Sequence, residues 1–381
     1  MLRFAERFDV LFVEGVPMRS VTSGDPHEWR RIVQKLKLRA KLRTVRPGLH
    51  VLRPLPIPPA GRLGRRAQLI NLRREVLLAC ARLRLSGPRI AWFSLPSAAP
   101  LRGTLGERAS VFYYQDRYDQ FSHVDSERLR RQIDELARGC DLVIASAEPL
   151  AKDLRRSGAK ALVVSHGVDV ERFGGFPPPP RDLIGLEHPM VGYVGLLDDY
   201  LDSEAIIDVA NRLDRGTVVL VGASNIDVRP LEHPRLELLG HRPYDEIPGY
   251  LAAFDTCLVP FRVNELTRGV NPIKLREYLA AGRPVVSSPL PEVLPYADVV
   301  ELASCSEEFF PAVQRTLAPG YDTPVRREAR RERVADESWD SRAGTIEQLM
   351  WVLLLKRRDR EPTLSDGRDP SDTSRRSLEP T

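Results

Sequence analysis

Residues 255–291 read DTCLVPFRVNELTRGVNPIKLREYLAAGRPVVSSPLP and hold the densest grouping of side chains able to bind an anion. A strand over 256–260 runs into a loop carrying Arg262, Asn264, Thr267, Arg268 and Gly269. Asn271 then Pro272 is the pattern of an N-cap and a first helical residue, and Gly282 with Pro284 closes a helix over 272–281. A helix that opens just past a strand's carboxyl end offers unbonded N–H groups and the positive end of its dipole, the physics of a phosphate site. Lys274 adds a full positive charge in the first turn. Glu277 sits three residues on, on the same helix face, where a carboxylate meets the hydroxyls of a bound ribose. Arg262, Arg268 and Lys274 supply cations, and the backbone at Gly269 and Val270 supplies amides.

A second constellation is Tyr113-Tyr114-Gln115-Asp116-Arg117-Tyr118-Asp119, with His123 close behind. It follows a strand over 109–114, so it lies in a loop at a sheet's carboxyl edge. Asp116, Asp119 and His123 are candidates for a general base or for orienting a hydroxyl. The plainer readings stand beside these. Asp116 also fits a loop cap or a partner for Arg117, and Glu277 also fits a surface pair with Lys274.

The elements that must position these groups alternate. Strands fall at 9–14, 48–55, 89–93, 109–114, 141–146 and 161–165. Helices fall at 27–45, 65–84, 126–139 and 148–157. After GGFPPPPR at 174–181, which forms neither helix nor central strand, the alternation restarts and runs to 334. Alternating strands and helices imply parallel, doubly wound sheets. The expected organisation is an N-terminal Rossmann-like domain (1–169), a proline-rich hinge (170–188), a C-terminal Rossmann-like domain (189–336), a helix crossing back (337–358), docked by Trp351, Leu353 and Leu354, and a disordered tail (359–381).

The 381 residues carry a net charge of only +5. That figure is a cancellation. Residues 1–170 hold 31 Lys and Arg against 17 Asp and Glu, whereas the remainder holds 26 against 35. A basic half beside an acidic one points to an anionic surface as a partner of the first. No apolar run reaches the 18–20 or so residues of a membrane span, and the N-terminus lacks a signal-peptide layout. Cys80, Cys140, Cys257 and Cys305 have no metal-ligand spacing. The expected location is cytoplasmic, peripheral at the inner face of the plasma membrane, with no nucleic-acid partner.

The stretch 255–291 resembles the donor-site region of GT-B fold nucleotide-sugar glycosyltransferases, most closely the retaining group that includes bacterial polysaccharide and teichuronic-acid enzymes. Three further segments fit the same template in order: CDLVIASAEPLAKDL, VVSHGVDVERF and PMVGYVGLLDDYLD. Together they cover most of residues 110–295. The resemblance implies two Rossmann-like domains facing a cleft, with an acceptor bound by the first and a nucleotide-diphosphate sugar by the second. The acceptor would be a sugar or a lipid-linked saccharide. It implies that Glu277 holds the donor ribose, that Gly192 and Gly195 let backbone approach the phosphates, and that no metal or other cofactor is needed. The earlier glutamate of the family's pair would fall at Gly269, a departure at the position that meets the transferred sugar. Aspartates at 198, 199 and 202 stand where relatives carry a basic residue. A sugar-nucleotide epimerase or an inactive binding protein on the same fold are the alternatives to sugar transfer.

Overall fold

The structure is a computed structural model that describes residues 1–15, 41–55, 61–121, 124–175 and 177–358. In the N-terminal half the elements are β1 (Val10–Val13), β2 (Lys41–Arg46), β3 (Leu49–Arg53), α1 (Gly61–Arg82), β4 (Ile90–Phe93), β5 (Ala109–Tyr114), α2 (Ser126–Gly139), β6 (Leu142–Ala145), α3 (Glu148–Arg156) and β7 (Ala161–Val163). The chain continues through α4 (Val170–Gly174), β8 (Met190–Val194), α5 (Ser203–Arg212), β9 (Thr217–Val221), β10 (Leu236–Gly240), α6 (Ile247–Ala253), β11 (Thr256–Val259), α7 (Ile273–Ala280), β12 (Val285–Ser287), β13 (Glu301–Leu302), α8 (Ser306–Leu317), α9 (Pro324–Glu332) and α10 (Trp339–Arg358).

The valine-rich strands β8, β9, β11 and β12 are buried along their whole length. Apolar residues on both faces require cover on both faces, which only a parallel sheet between helix layers provides. These strands join one six-stranded sheet in the order β10-β9-β8-β11-β12-β13, with every pair parallel. Numbered from β8, that order is 3-2-1-4-5-6, the doubly wound arrangement in which succession reverses between the first and fourth strands.

The N-terminal half is less regular. β4-β5-β6-β7 form a parallel sheet, while β1-β3-β2 form a separate three-stranded one. In the latter, β2 runs antiparallel to β3. The helix expected over 27–45 is therefore corrected where it is described, because residues 41–46 are a strand. Pro47-Gly48 turns it directly into β3. Gly48 takes φ +73°, and a Cβ there would collide with the Ala5 carbonyl. The rest of that expected helix, and the tail 359–381, lie outside the described residues.

The proline run 177–180 has no regular structure, and Pro178 and Pro180 lie against Gly249 of α6. The terminal helix α10 returns to the N-terminal half. Its Ile346 and Met350 are buried in one cluster with Phe4, Val111 and Ile144. The docking residues differ from those expected. Trp351 is half exposed, with its ring centroid 6.0 Å from that of Phe8, and Leu353 and Leu354 are only partly buried. The helix presents its 346/350 edge to the sheet, so an i, i+4 pair docks it. Among the described residues no helix is long and apolar enough to cross a membrane.

Candidate active site

Because β8 and β11 are neighbours whose outgoing connections wind to opposite sides, a crevice opens beyond their carboxyl ends. Gly195 is the first residue past β8. A Cβ on it would collide with the Lys274 side chain and stand 2.8 Å from both the Lys274 Nζ and the Tyr193 hydroxyl. Lys274 thus leaves the first turn of α7 and lays its ammonium across the end of β8. Only a residue without a side chain permits that approach. Burial holds the Lys274 pKa below the ordinary lysine value, opposed by the nearby Glu277 carboxylate.

The start of α7 differs in detail from the expected pattern. Pro272 is the N-cap and no side chain caps the helix; its carbonyl accepts from the Leu275 amide at 3.2 Å, and the Ile273 and Lys274 amides before it have no side-chain cap. Asn271 is instead buried between the two halves. Its Nδ2 donates to the Ser146 carbonyl at 2.8 Å and to Glu292 Oε2 at 2.7 Å, and its Oδ1 accepts from Arg276 Nη1 at 2.6 Å. Arg276 in turn donates to Glu337 at 2.6 Å. The residue that looked like a cap is a tie between domains.

One turn into α7, Glu277 is buried and accepts a 2.9 Å bond from the Tyr244 hydroxyl. Burial raises its pKa, while the Tyr244 bond and Lys274 pull it back. Tyr244 carried no signal in the sequence. It precedes α6, 33 positions from Glu277, and folding alone joins the two. The tyrosine stacks edge-on with Phe173 and under the Arg172 guanidinium.

The other residues expected on the donor side divide. Arg262 is exposed on the loop after β11, and its amide donates to the Tyr200 carbonyl at 2.9 Å. Gly192 lies inside β8 and meets no open space, because the Phe254 ring occupies the place of its Cβ. It serves packing, and a ligand does not reach it. The Gly269 and Val270 amides are already used, donating to the Leu266 and Thr267 carbonyls at 3.1 Å. This corrects the expectation that they bind a sugar or diphosphate, because the loop tightens into a 3-10 turn over Thr267–Gly269 and uses them itself. Arg268 points outward and pairs with Glu265 at 2.9 Å, with more than half its side chain exposed. Of the aspartates after Gly195, Asp198 accepts from Asn225 at 2.7 Å and Asp202 caps α5.

Gly269 also explains the departure at its position. A Cβ there would stand 2.8 Å from Leu150 Cδ2 and 3.1 Å from Arg117 Cγ. Arg117 comes from the loop after β5 and pairs with Asp153 at 2.5 Å and with Glu265 at 3.4 Å. The space of a glutamate side chain is taken by the other half of the molecule.

On that opposite wall, Asp116 follows β5. Burial alone pushes its carboxyl up to about 6, and among the described residues it receives no hydrogen bond or ion pair. Its charge reaches the Tyr200 hydroxyl on the loop after β8, across the cleft. Asp119 is different. It accepts from Arg130 and Gln120 at 2.9 Å each, which commits it to holding its loop and corrects its expected catalytic place. His123 lies outside the described residues. His166, at the junction of the halves, stands 3.4 Å from the Tyr113 hydroxyl, and burial followed by the Arg276 charge lowers its pKa to about 4.

Residues 188–318 match the family model described as Glycosyl transferases group 1. A Bacillus subtilis (strain 168) protein described as a teichuronic acid biosynthesis glycosyltransferase, TuaH, is 29% identical over 215 residues, 52% of this chain and 54% of that protein. The match thus spans about half the length of the curated relative. Among solved structures, a sucrose-phosphate synthase from Thermosynechococcus elongatus superposes with TM-score 0.66 at 17% identity, covering 92% of this chain and all of the other. Anabaena HepE in complex with UDP and glucose superposes with TM-score 0.61 at 17% identity, covering 91% and 99%. An Escherichia coli structure described as trehalose-6-phosphate bound with UDP-2-fluoro glucose superposes with TM-score 0.61 at 13% identity, covering 90% and 98%. At these identities the likeness is one of fold, and it covers both halves and the cleft between them. Residues 188–318 are therefore similar to the Glycosyl transferases group 1 family, and the whole chain has the two-domain GT-B architecture of these glycosyltransferase structures.

Proposed function

We propose that this chain transfers a sugar from a nucleotide-diphosphate donor to an acceptor hydroxyl, in the synthesis of a cell-surface polysaccharide or glycolipid. The observation that carries the reading is the Lys274 ammonium laid over Gly195 at the sheet's switch point, with Glu277 and Tyr244 one turn away. The ammonium and the uncapped α7 amides would neutralise the diphosphate as it leaves. Glu277, aimed by Tyr244, would accept from the ribose hydroxyls. The kinship with TuaH and the UDP-glucose held by HepE support a nucleotide-sugar donor.

In the transfer, the acceptor oxygen bonds to the anomeric carbon as the bond from that carbon to the phosphate oxygen breaks. The electron pair departs with the diphosphate. The acceptor proton passes to the Asp116 carboxylate, whose raised pKa suits it to take a proton near neutrality. The reading uses no metal, and full turnover in excess chelator is its expected outcome.

The test is a thermal-shift screen against UDP-, GDP-, ADP- and CDP-linked sugars, repeated with Glu277→Ala. One donor should raise the melting temperature, and the variant should lose that shift. No shift with any donor, or an unchanged shift in the variant, would overturn the assignment.

A further inference from the structure

Helix α1 carries a surface that neither the fold nor the sugar-transfer reading uses. Its 22 residues include Arg62, Arg65, Arg66, Arg73, Arg74 and Arg82, with Arg84 just beyond, and a single acid, Glu75. Glu75 is spent locally, accepting from the Leu55 amide and from Asn71 at 3.0 Å each. Among the described residues, none of Arg65, Arg66, Arg73, Arg74, Arg82 and Arg84 pairs with a carboxylate, and only Arg73 among them has a fixed bond off the helix, to the Thr104 carbonyl. Elsewhere arginines are tied down, Arg276 to Glu337 and Arg330 to Asp322 among them.

The same face exposes large aliphatics. Leu63 is 84% exposed, Ile70 62% and Leu78 43%. At about 100° per residue, Leu63, Ala67, Ile70, Leu78 and Ala81 fall within about 80° of one another, and the exposed Arg74 lies among them. Arg66 and Arg73 flank that stripe on one side and Arg82 on the other. Leu72, Val76 and Ala79, on the opposite face, are buried in the core. Exposed aliphatics flanked and interspersed by cations, on a helix whose other side is already anchored, suit a membrane interface, where the apolar side chains meet the acyl boundary and the long arginines reach back to the headgroups. Burying the stripe against a neutral protein surface would strand the arginines without partners.

We infer that the outer face of α1 docks on an anionic lipid bilayer, its arginines on headgroup phosphates and Leu63, Ile70 and Leu78 at the acyl boundary. Charge complementarity selects this occupant. A second copy of the same face would set arginine against arginine. The segment 16–40 holds six Lys and Arg against two acids and is repelled likewise.

The full chain is tested by co-sedimentation with vesicles of phosphatidylcholine alone and with vesicles containing about one third phosphatidylglycerol. Binding at low salt should be at least about tenfold tighter to the anionic vesicles. Arg66→Glu with Arg73→Glu should weaken it about tenfold or more, each arginine near such a surface counting for roughly fivefold. Leu63→Asn with Ile70→Asn should weaken the binding that survives high salt by about threefold or more. Arg229→Glu, on the far half, should change nothing, and circular dichroism should show all variants folded. Equal binding to neutral vesicles, no binding, or wild-type binding by both α1 variants would overturn the inference. So would heparin or duplex DNA bound as tightly as vesicles and insensitive to Leu63 and Ile70, which would mean a soluble polyanion. Dimerisation abolished by the same variants would mean a second copy, and vesicle binding seen only after removal of 359–381 would mean the tail covers the face.

Discussion

Glu277 on the donor side is buried and Asp116 on the other half is partly buried, and the two carboxylates are treated in opposite ways. Glu277 stands in α7 beside Lys274, receives the Tyr244 hydroxyl, and is held by a helix packed on a continuous six-stranded parallel sheet. Asp116 stands in a loop after β5, on a sheet divided in two, with burial as the cause of its raised pKa. A group that recognises a ligand needs fixed geometry and matched charge. A group that accepts a proton needs a pKa near the working pH, which burial without a partner supplies. The donor wall is built for the first requirement and the acceptor wall for the second.

Breaking the donor wall should cost most. Lys274→Ala should lower kcat/KM by about 10²–10³-fold, the usual effect of deleting one donor to a developing negative charge. Steady-state kinetics checks it, and a loss under tenfold would move the leaving-group site elsewhere. On the acceptor wall, Asp116→Asn should lower kcat by about 10²-fold, within the usual range for a general base, while donor affinity from calorimetry stays unchanged. In the wild type, kcat should fall as pH drops below about 6, where Asp116 takes up its proton. Stability moves the other way. The raised pKa means the folded state binds the proton more tightly than the unfolded chain, so this group's stabilising contribution is present in acid and lost as pH rises through about 6. At pH 7 the Asn variant should therefore melt higher than the wild type.

Smaller effects sharpen the contrast. Gly269→Glu restores the residue type the resemblance expects, but its Cβ meets Leu150 and Arg117. It should destabilise the protein by about 1–3 kcal/mol in denaturant melts, the range for overpacking, without raising activity. Arg268→Ala, on a side chain already turned to solvent and paired with Glu265, should change stability by no more than about 0.5 kcal/mol and donor KM less than twofold.

The amino-acid sequence by itself determined the C-terminal sheet, the opening of a helix just past β11, and the positions of Lys274, Glu277 and Asp116. Each follows from a local signal: valine runs that need two covered faces, a strand–loop–helix break, a carboxylate after a strand. Local signals failed where partners come from far along the chain. Asn271 has the type and place of a cap, yet Ser146, Glu292 and Arg276 claim its side chain. The Gly269 and Val270 amides looked available until the loop closed into a turn, and Asp119 until Arg130 reached it. KLRTVR at 41–46 continues the basic run from residue 27 that reads as a helix, and pairing with β3 makes it a strand. Tertiary structure alone decided which of two neighbouring aspartates stays unpartnered, which tyrosine meets Glu277, and that Arg117 fills the place of a missing glutamate. The reason is the same in each case. A hydrogen bond or buried charge belongs to a pair, and only the folded chain brings the second member.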